Sequence, residues 1–171
     1  MFNKFKATAM GCALSLAVAF SLSAQADDEV NNQKGFIAKG YDVTAYFDGT
    51  PVEGSEEFKS EYEGGIYLFA SAENLAKFEA APADFAPQYG GWCSFAAAQQ
   101  RKLPINPEAF KVVDGKLYLN NSKGVHKRWL KKEAGYIRGA DNNWPYLKSH
   151  ARKSLPKAVK GNDKLTRGAI N

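Results

Sequence analysis

Residues 111–119 read Lys111-Val112-Val113-Asp114-Gly115-Lys116-Leu117-Tyr118-Leu119. Two short apolar runs flank Asp-Gly, the pair that most readily sets both central residues of a hairpin turn at positive φ. An upstream stretch has the same form: Glu57 to Tyr62 and Ile66 to Ala70 flank Glu63-Gly64-Gly65. Strand alternation puts Tyr67 and Phe69 on one face of this hairpin and Ile66 and Leu68 on the other. A helix follows each hairpin. Ser71 caps one with Leu75, Phe78 and Glu79 at helical spacing, and Pro82 stops it. Asn121 or Ser122 caps the other, which carries Val125, Trp129 and Leu130 and is broken at Gly135. Strands and helices come in blocks and do not alternate as βαβ units, so the fold class is α+β. The expected architecture is small antiparallel β-hairpins packed with short helices, and a helical C-terminal part.

Outward from these blocks the signals weaken. Asp42 to Phe47 reads as a strand ended by Asp48-Gly49, residues 85–91 as a loop, and Trp92 to Gln100 as a short helix. A further helix runs toward Trp144, and Pro145 opens a last one. The hairpin–helix blocks 57–80 and 111–133 are only vaguely alike, and no repeat of constant period is visible.

The ends carry a different message. Lys4 and Lys6, an apolar run from Ala7 to Leu22, and Ala24-Gln25-Ala26 before acidic Asp27 have the form of a cleaved signal peptide over 1–26. The expected destination is the periplasm or the exterior. The apolar run is short for a membrane span, so an integral membrane protein is not expected. Residues 27–35 are expected to be disordered, 36–147 to form the domain with its helical extension, and 148–171 to be a basic, partly disordered tail. Cleavage would leave 145 residues with Cys93, His126 and His150, and no methionine.

Charge divides along the sequence. Residues 27–122 hold eight Lys/Arg against fifteen Asp/Glu, and 123–171 hold thirteen against three. Such a basic half is a candidate surface for an anionic partner, a lipid headgroup or an acidic protein, and an exported chain makes nucleic acid an unexpected one.

The chemistry permitted is narrow. No phosphate-binding glycine loop, Gly-x-Ser-x-Gly elbow, His-x-x-x-His or Cys-x-x-Cys occurs. Cys93 follows Gly90-Gly91-Trp92 at an expected helix start, where unpaired N–H groups favour a thiolate. It is a candidate metal ligand or reactive thiol, and equally a small buried apolar group. His126, among Lys127, Arg128, Lys131 and Lys132, is the candidate second metal ligand. Tyr41, Tyr46, Phe47, Tyr89 and Trp92 gather near loops. With Cys93, and Asp42 as polar anchor, the set Tyr41, Asp42, Tyr89 and Trp92 is the candidate ligand-binding lining, the alternative being a core.

Several separated stretches then resemble the YHS domain. They are Gly40-Tyr41-Asp42-Val43-Thr44-Ala45-Tyr46-Phe47, Tyr62-Glu63-Gly64-Gly65-Ile66-Tyr67-Leu68-Phe69-Ala70-Ser71-Ala72-Glu73-Asn74, Phe78 with Pro82, Ala86 to Cys93, Asp114 to Asn120, and Asn143-Trp144-Pro145. The chain looks most like secreted bacterial members. The resemblance implies metal binding, with copper or another transition metal as the cofactor class. It also implies thiolate ligands at three places, which here hold Ala45, Ala70 and Asn74. The reading that follows is a non-enzymatic periplasmic binding protein for a metal ion or small molecule. The alternatives are a thiol-dependent redox or catalytic protein using Cys93, and an interaction domain docking its basic half on an anionic surface.

Overall fold

A computed structural model describes residues 29–155; the expected signal segment and the residues after 155 lie outside them. The chain is α+β, with two separate two-stranded antiparallel sheets. In the first, β1 (Ser55–Tyr62) pairs with β2 (Gly65–Phe69), and α1 (Ala72–Ala80) and the short α2 (Pro82–Phe85) follow. After the four-residue α3 (Ser94–Ala97), β3 (Asn106–Val113) pairs with β4 (Lys116–Asn120), followed by α4 (Lys123–Leu130) and α5 (Glu133–Lys148).

These elements form a tandem repeat with a constant shift of 51 residues, which corrects the sequence reading. β3, β4 and the α4 cap Ser122 begin 51 positions after β1, β2 and the α1 cap Ser71. Both strand pairs have eight and five residues, and both change register after their first pair, Ser55↔Phe69 and Asn106↔Asn120. The turns match in conformation: Glu63 and Gly64 have φ of 46° and 74°, Asp114 and Gly115 of 49° and 72°. Each turn needs two positive φ values in succession, which glycine supplies at the second place without steric cost.

The correspondence reaches the irregular backbone. Ala38, Lys39 and Gly40 have φ of 51°, 60° and 87°, and Tyr89, Gly90 and Gly91 of 58°, 56° and 76°. The bonds Tyr41 N–H to Ala38 O, Asp42 N–H to Val52 O and Thr50 N–H to Ala45 O recur as Trp92 to Tyr89, Cys93 to Leu103 and Arg101 to Ala96. Ser71 and Ser122 each accept from the N–H three residues on, at 3.2 Å. Phe78 and Trp129, also 51 apart, are the buried anchors of α1 and α4, 1% and 0% exposed.

Apolar side chains of both units, including Tyr46, Phe69, Phe78, Leu117 and Leu119, share one core. The helix α5 adds a second cluster over the second unit, in which Ala140 and Leu147 meet Tyr118, Trp129 and Leu155. Gly139 of α5 is buried against Ala98, just after α3.

Other local expectations also change. Asp42 to Phe47 is no strand, since Asp42 turns its carboxylate back onto Thr44 N–H at 2.9 Å and Ala45–Asp48 coils as a 3-10 turn. Within 27–35, expected to be disordered, Asn31 is held to the second unit: its N–H donates to Gly90 O at 2.8 Å and its Nδ2 to Gly91 O at 2.9 Å. The helix break falls at Lys132 (φ −143°, ψ 44°), while Gly135 and Pro145 lie inside α5. The helix expected over Trp92 to Gln100 is shorter: α3 spans the four residues Ser94–Ala97, and Trp92 precedes it.

Candidate functional site

Asp42 is 0% exposed and fully used. Its Oδ1 accepts from Thr44 N–H at 2.9 Å and Thr44 Oγ1–H at 2.7 Å, its Oδ2 from Ala70 N–H at 2.9 Å and Asn74 Nδ2 at 2.7 Å. The carboxylate therefore ties the 42–45 turn to the end of β2 and the first turn of α1. Four donors satisfy a buried charge that would otherwise carry a large desolvation cost.

The residue 51 positions on is Cys93, also 0% exposed. Burial pushes its thiol above the ordinary value, only partly offset by the backbone N–H groups of Ala96, Asn121 and Phe95 beside the sulfur. Phe95 and Asn121 are the counterparts of Thr44 and Ala70, so the sulfur lies beside the equivalents of two of the four donors that hold the Asp42 carboxylate. The expected thiolate does not arise because burial outweighs these donors, and the helix Cys93 precedes has only four residues.

Asn120 separates Cys93 from His126. Phe95 N–H donates to Asn120 Oδ1 at 3.2 Å, which fixes the amide with Nδ2 facing His126 Nδ1, also at 3.2 Å. The Cys93 thiol donates to the same Oδ1 across 3.9 Å. His126 Nδ1 must therefore accept, and the neutral ring carries its proton on Nε2. The ring stacks on Trp129 at 6.0 Å, and burial, then Lys111, lowers its pKa from 6.5, while Glu133 raises it. Nothing in the spacing of the sequence pointed to Asn120; its one signal is a polar residue where the first unit has Phe69.

The other three expected lining residues, Tyr41, Tyr89 and Trp92, each have partners of their own. Tyr41 packs at the edge of the first core, and its hydroxyl donates to Glu53 at 3.2 Å. Tyr89 belongs to the second cluster and donates to Asp141 at 2.9 Å. Trp92 is buried beside Lys102, whose Nζ lies 6.0 Å from its ring centre, 5.9 Å from that of Trp144, and 2.9 Å from the carbonyl of His150. His150 stacks on Tyr146 at the exposed end of α5.

Two tandem hairpin–helix units, each built around a buried residue with N–H donors beside it, define a small internally duplicated α+β protein. Residues 43–89, within the first unit and its link to the second, match the family model of the YHS domain. No curated protein and no solved structure matches the chain.

The YHS domain is metal-associated, and the donors can be tested against that role. Cu(I) and Zn(II) are held by three or four soft or borderline ligands. Of the three places the resemblance assigns to thiolates, Ala45 and Ala70 carry no donor side chain, and Asn74 is spent on Asp42. Their counterparts in the second unit are Ala96, Asn121 and Val125, and the Asn121 amide donates to Pro104 O at 2.8 Å. His126 has committed its one lone pair to Asn120. Among the described residues no three His, Cys, Asp or Glu side chains are grouped to hold a metal. The residues present do not fit a thiolate-bound metal.

Proposed function

We propose that this chain is a non-catalytic binding protein of the YHS type that is exported to the periplasm and engages its ligand through its surface. The observation that carries this reading is the placement of Cys93: wholly buried, and parted from His126 by an amide that serves both. A nucleophilic cysteine needs an accessible thiolate beside a base. The donor inventory at Ala45, Ala70 and Asn74 argues for a ligand other than a metal ion, and the form of residues 1–26 supports export.

The test is alkylation of the native protein by iodoacetamide at pH 7.5. Cys93 is expected to react only when the fold is opened by urea, with native protection of at least a hundredfold. Rapid native modification, with His126→Gln slowing it, would favour the thiol-dependent alternative. N-terminal sequencing of the periplasmic form is expected to begin at Asp27; a cytoplasmic chain beginning at Met1 would remove the export part.

A further inference from the structure

The repeat supplies an internal control for the basic half of the molecule. Residue by residue, Ser71 to Ala80 and Ser122 to Lys131 have the same sequence of burial, with one fully buried position, Phe78 or Trp129, and the same exposed ones. The same positions of both helices are therefore buried and the same ones exposed, yet the exposed faces differ. Where α1 shows Ala72, Ala76, Glu79 and Ala80, α4 and its cap show Lys123, Lys127, Leu130 and Lys131. Three alanines are matched by lysines, and a glutamate by a leucine that is 42% exposed. Lys77 and Arg128 each place a cation in the last turn of their helix, and α4 adds Lys127 to it.

The cations are also left unneutralised. Lys123 pairs with Glu108, but among the described residues Lys127, Lys131 and the adjoining exposed Lys132 have no acidic partner. The acidic groups of this part of the chain are engaged elsewhere: Glu133 with Lys111, Asp141 with Tyr89. Unpaired carboxylates gather instead on the first hairpin, at Glu56, Glu57 and Glu61, which packs on α1, while α4 packs on the second. The molecule is thus charge-segregated and would orient in the field of a charged surface.

We infer that the exposed face of α4 and the corner after it, Lys127, Leu130, Lys131 and Lys132, docks on an anionic phospholipid surface. Lysines act as point charges and do not select one carboxylate geometry as an arginine fork does, which suits a fluid layer of phosphate headgroups. Leu130, between Lys127 and Lys131, adds apolar area at the boundary of the acyl region. The inference rests on the surface-binding reading above and names its partner.

The test uses the full chain and two vesicle preparations, pure phosphatidylcholine and phosphatidylcholine with 30% phosphatidylglycerol. Sedimentation is expected to show binding to the anionic vesicles alone at about 50 mM salt, lost at about 500 mM as screening shortens its reach. The triple variant Lys127→Ala, Leu130→Glu, Lys131→Ala gives α4 the residues that α1 already carries at those exposed places, so it is expected to fold, as its circular dichroism melt would report. It is expected to bind on the order of a hundredfold more weakly. Equal binding to neutral vesicles, full binding by the triple variant, or salt-sensitive self-association without vesicle binding would each overturn the proposal. None of these would expose Cys93, so failure here and failure of the non-catalytic reading are separate results.

Discussion

Cys93 stands in the second unit where Asp42 stands in the first. Each N–H donates to the residue ten positions on, Val52 O at 2.9 Å and Leu103 O at 3.1 Å. Each side chain lies among the N–H groups two and twenty-eight residues further along. One such pair of N–H groups faces a carboxylate and the other a buried thiol.

Asp42→Ala should be severe. It leaves Thr44 N–H, Ala70 N–H and Asn74 Nδ2 without their acceptor inside the fold. A loss of about 3–5 kcal/mol is expected from urea unfolding. Asn74→Ala, which removes one donor and leaves the carboxylate three, should cost about 1–2 kcal/mol. Equal effects of the two would contradict a clasp centred on Asp42.

The paired caps and turns should behave as copies. Ser71→Ala and Ser122→Ala each remove one side-chain acceptor and should each cost about 1 kcal/mol. Gly64→Ala and Gly115→Ala strain a positive φ in open space, again by about 1 kcal/mol each. Thermal melts of the four variants should fall in two matched pairs. A large difference within either pair would argue against equivalent units.

His126 should make stability depend on pH. Burial lowers its pKa in the folded state below the ordinary 6.5, so the unfolded chain binds more protons. The stabilisation is complete above about pH 6.5 and is lost as pH falls through the folded value. Urea midpoints between pH 8 and pH 5 should drop on the acid side, and His126→Gln should flatten that part of the curve. A slope unchanged by the substitution would assign it to other groups.

Asn120→Asp reverses that logic. A carboxylate still accepts from Phe95 N–H, but it now faces Nδ1 with an acceptor and a charge. His126 should then take up a proton on Nδ1, and its NMR-titrated pKa should rise above 6.5. A value that stays depressed would mean that the amide does not set the tautomer.

Much of the fold was legible because its signals are local. The Asp114-Gly115 turn, the Glu63-Gly64-Gly65 turn and the Ser71 cap each specify a backbone conformation within a few residues, and both hairpins and α1 followed from them. The repeat was hidden because it resides in conformation and burial. From Phe36 to Lys132 the shifted copies share only Gly40/Gly91, Ala45/Ala96, Glu57/Glu108, Gly64/Gly115, Tyr67/Tyr118, Leu68/Leu119 and Ser71/Ser122. Long-range pairings were illegible for a different reason. That Asp42 would meet Ala70 and Asn74, and that Asn120 would lie between Cys93 and His126, depends on packing that no spacing encodes. In the candidate lining, Tyr41 and Tyr89 occupy equivalent stretches of different units and face different partners, Glu53 and Asp141.

The central proposal is a chain that binds its ligand without a thiolate metal centre. Native mass spectrometry of the chain, incubated with one equivalent of Cu(I) or Zn(II), tests this most directly. The account predicts the metal-free mass throughout, with an unfolding temperature that neither metal nor chelator moves. A stoichiometric adduct that raises this temperature and disappears in Cys93→Ala or His126→Gln would contradict it.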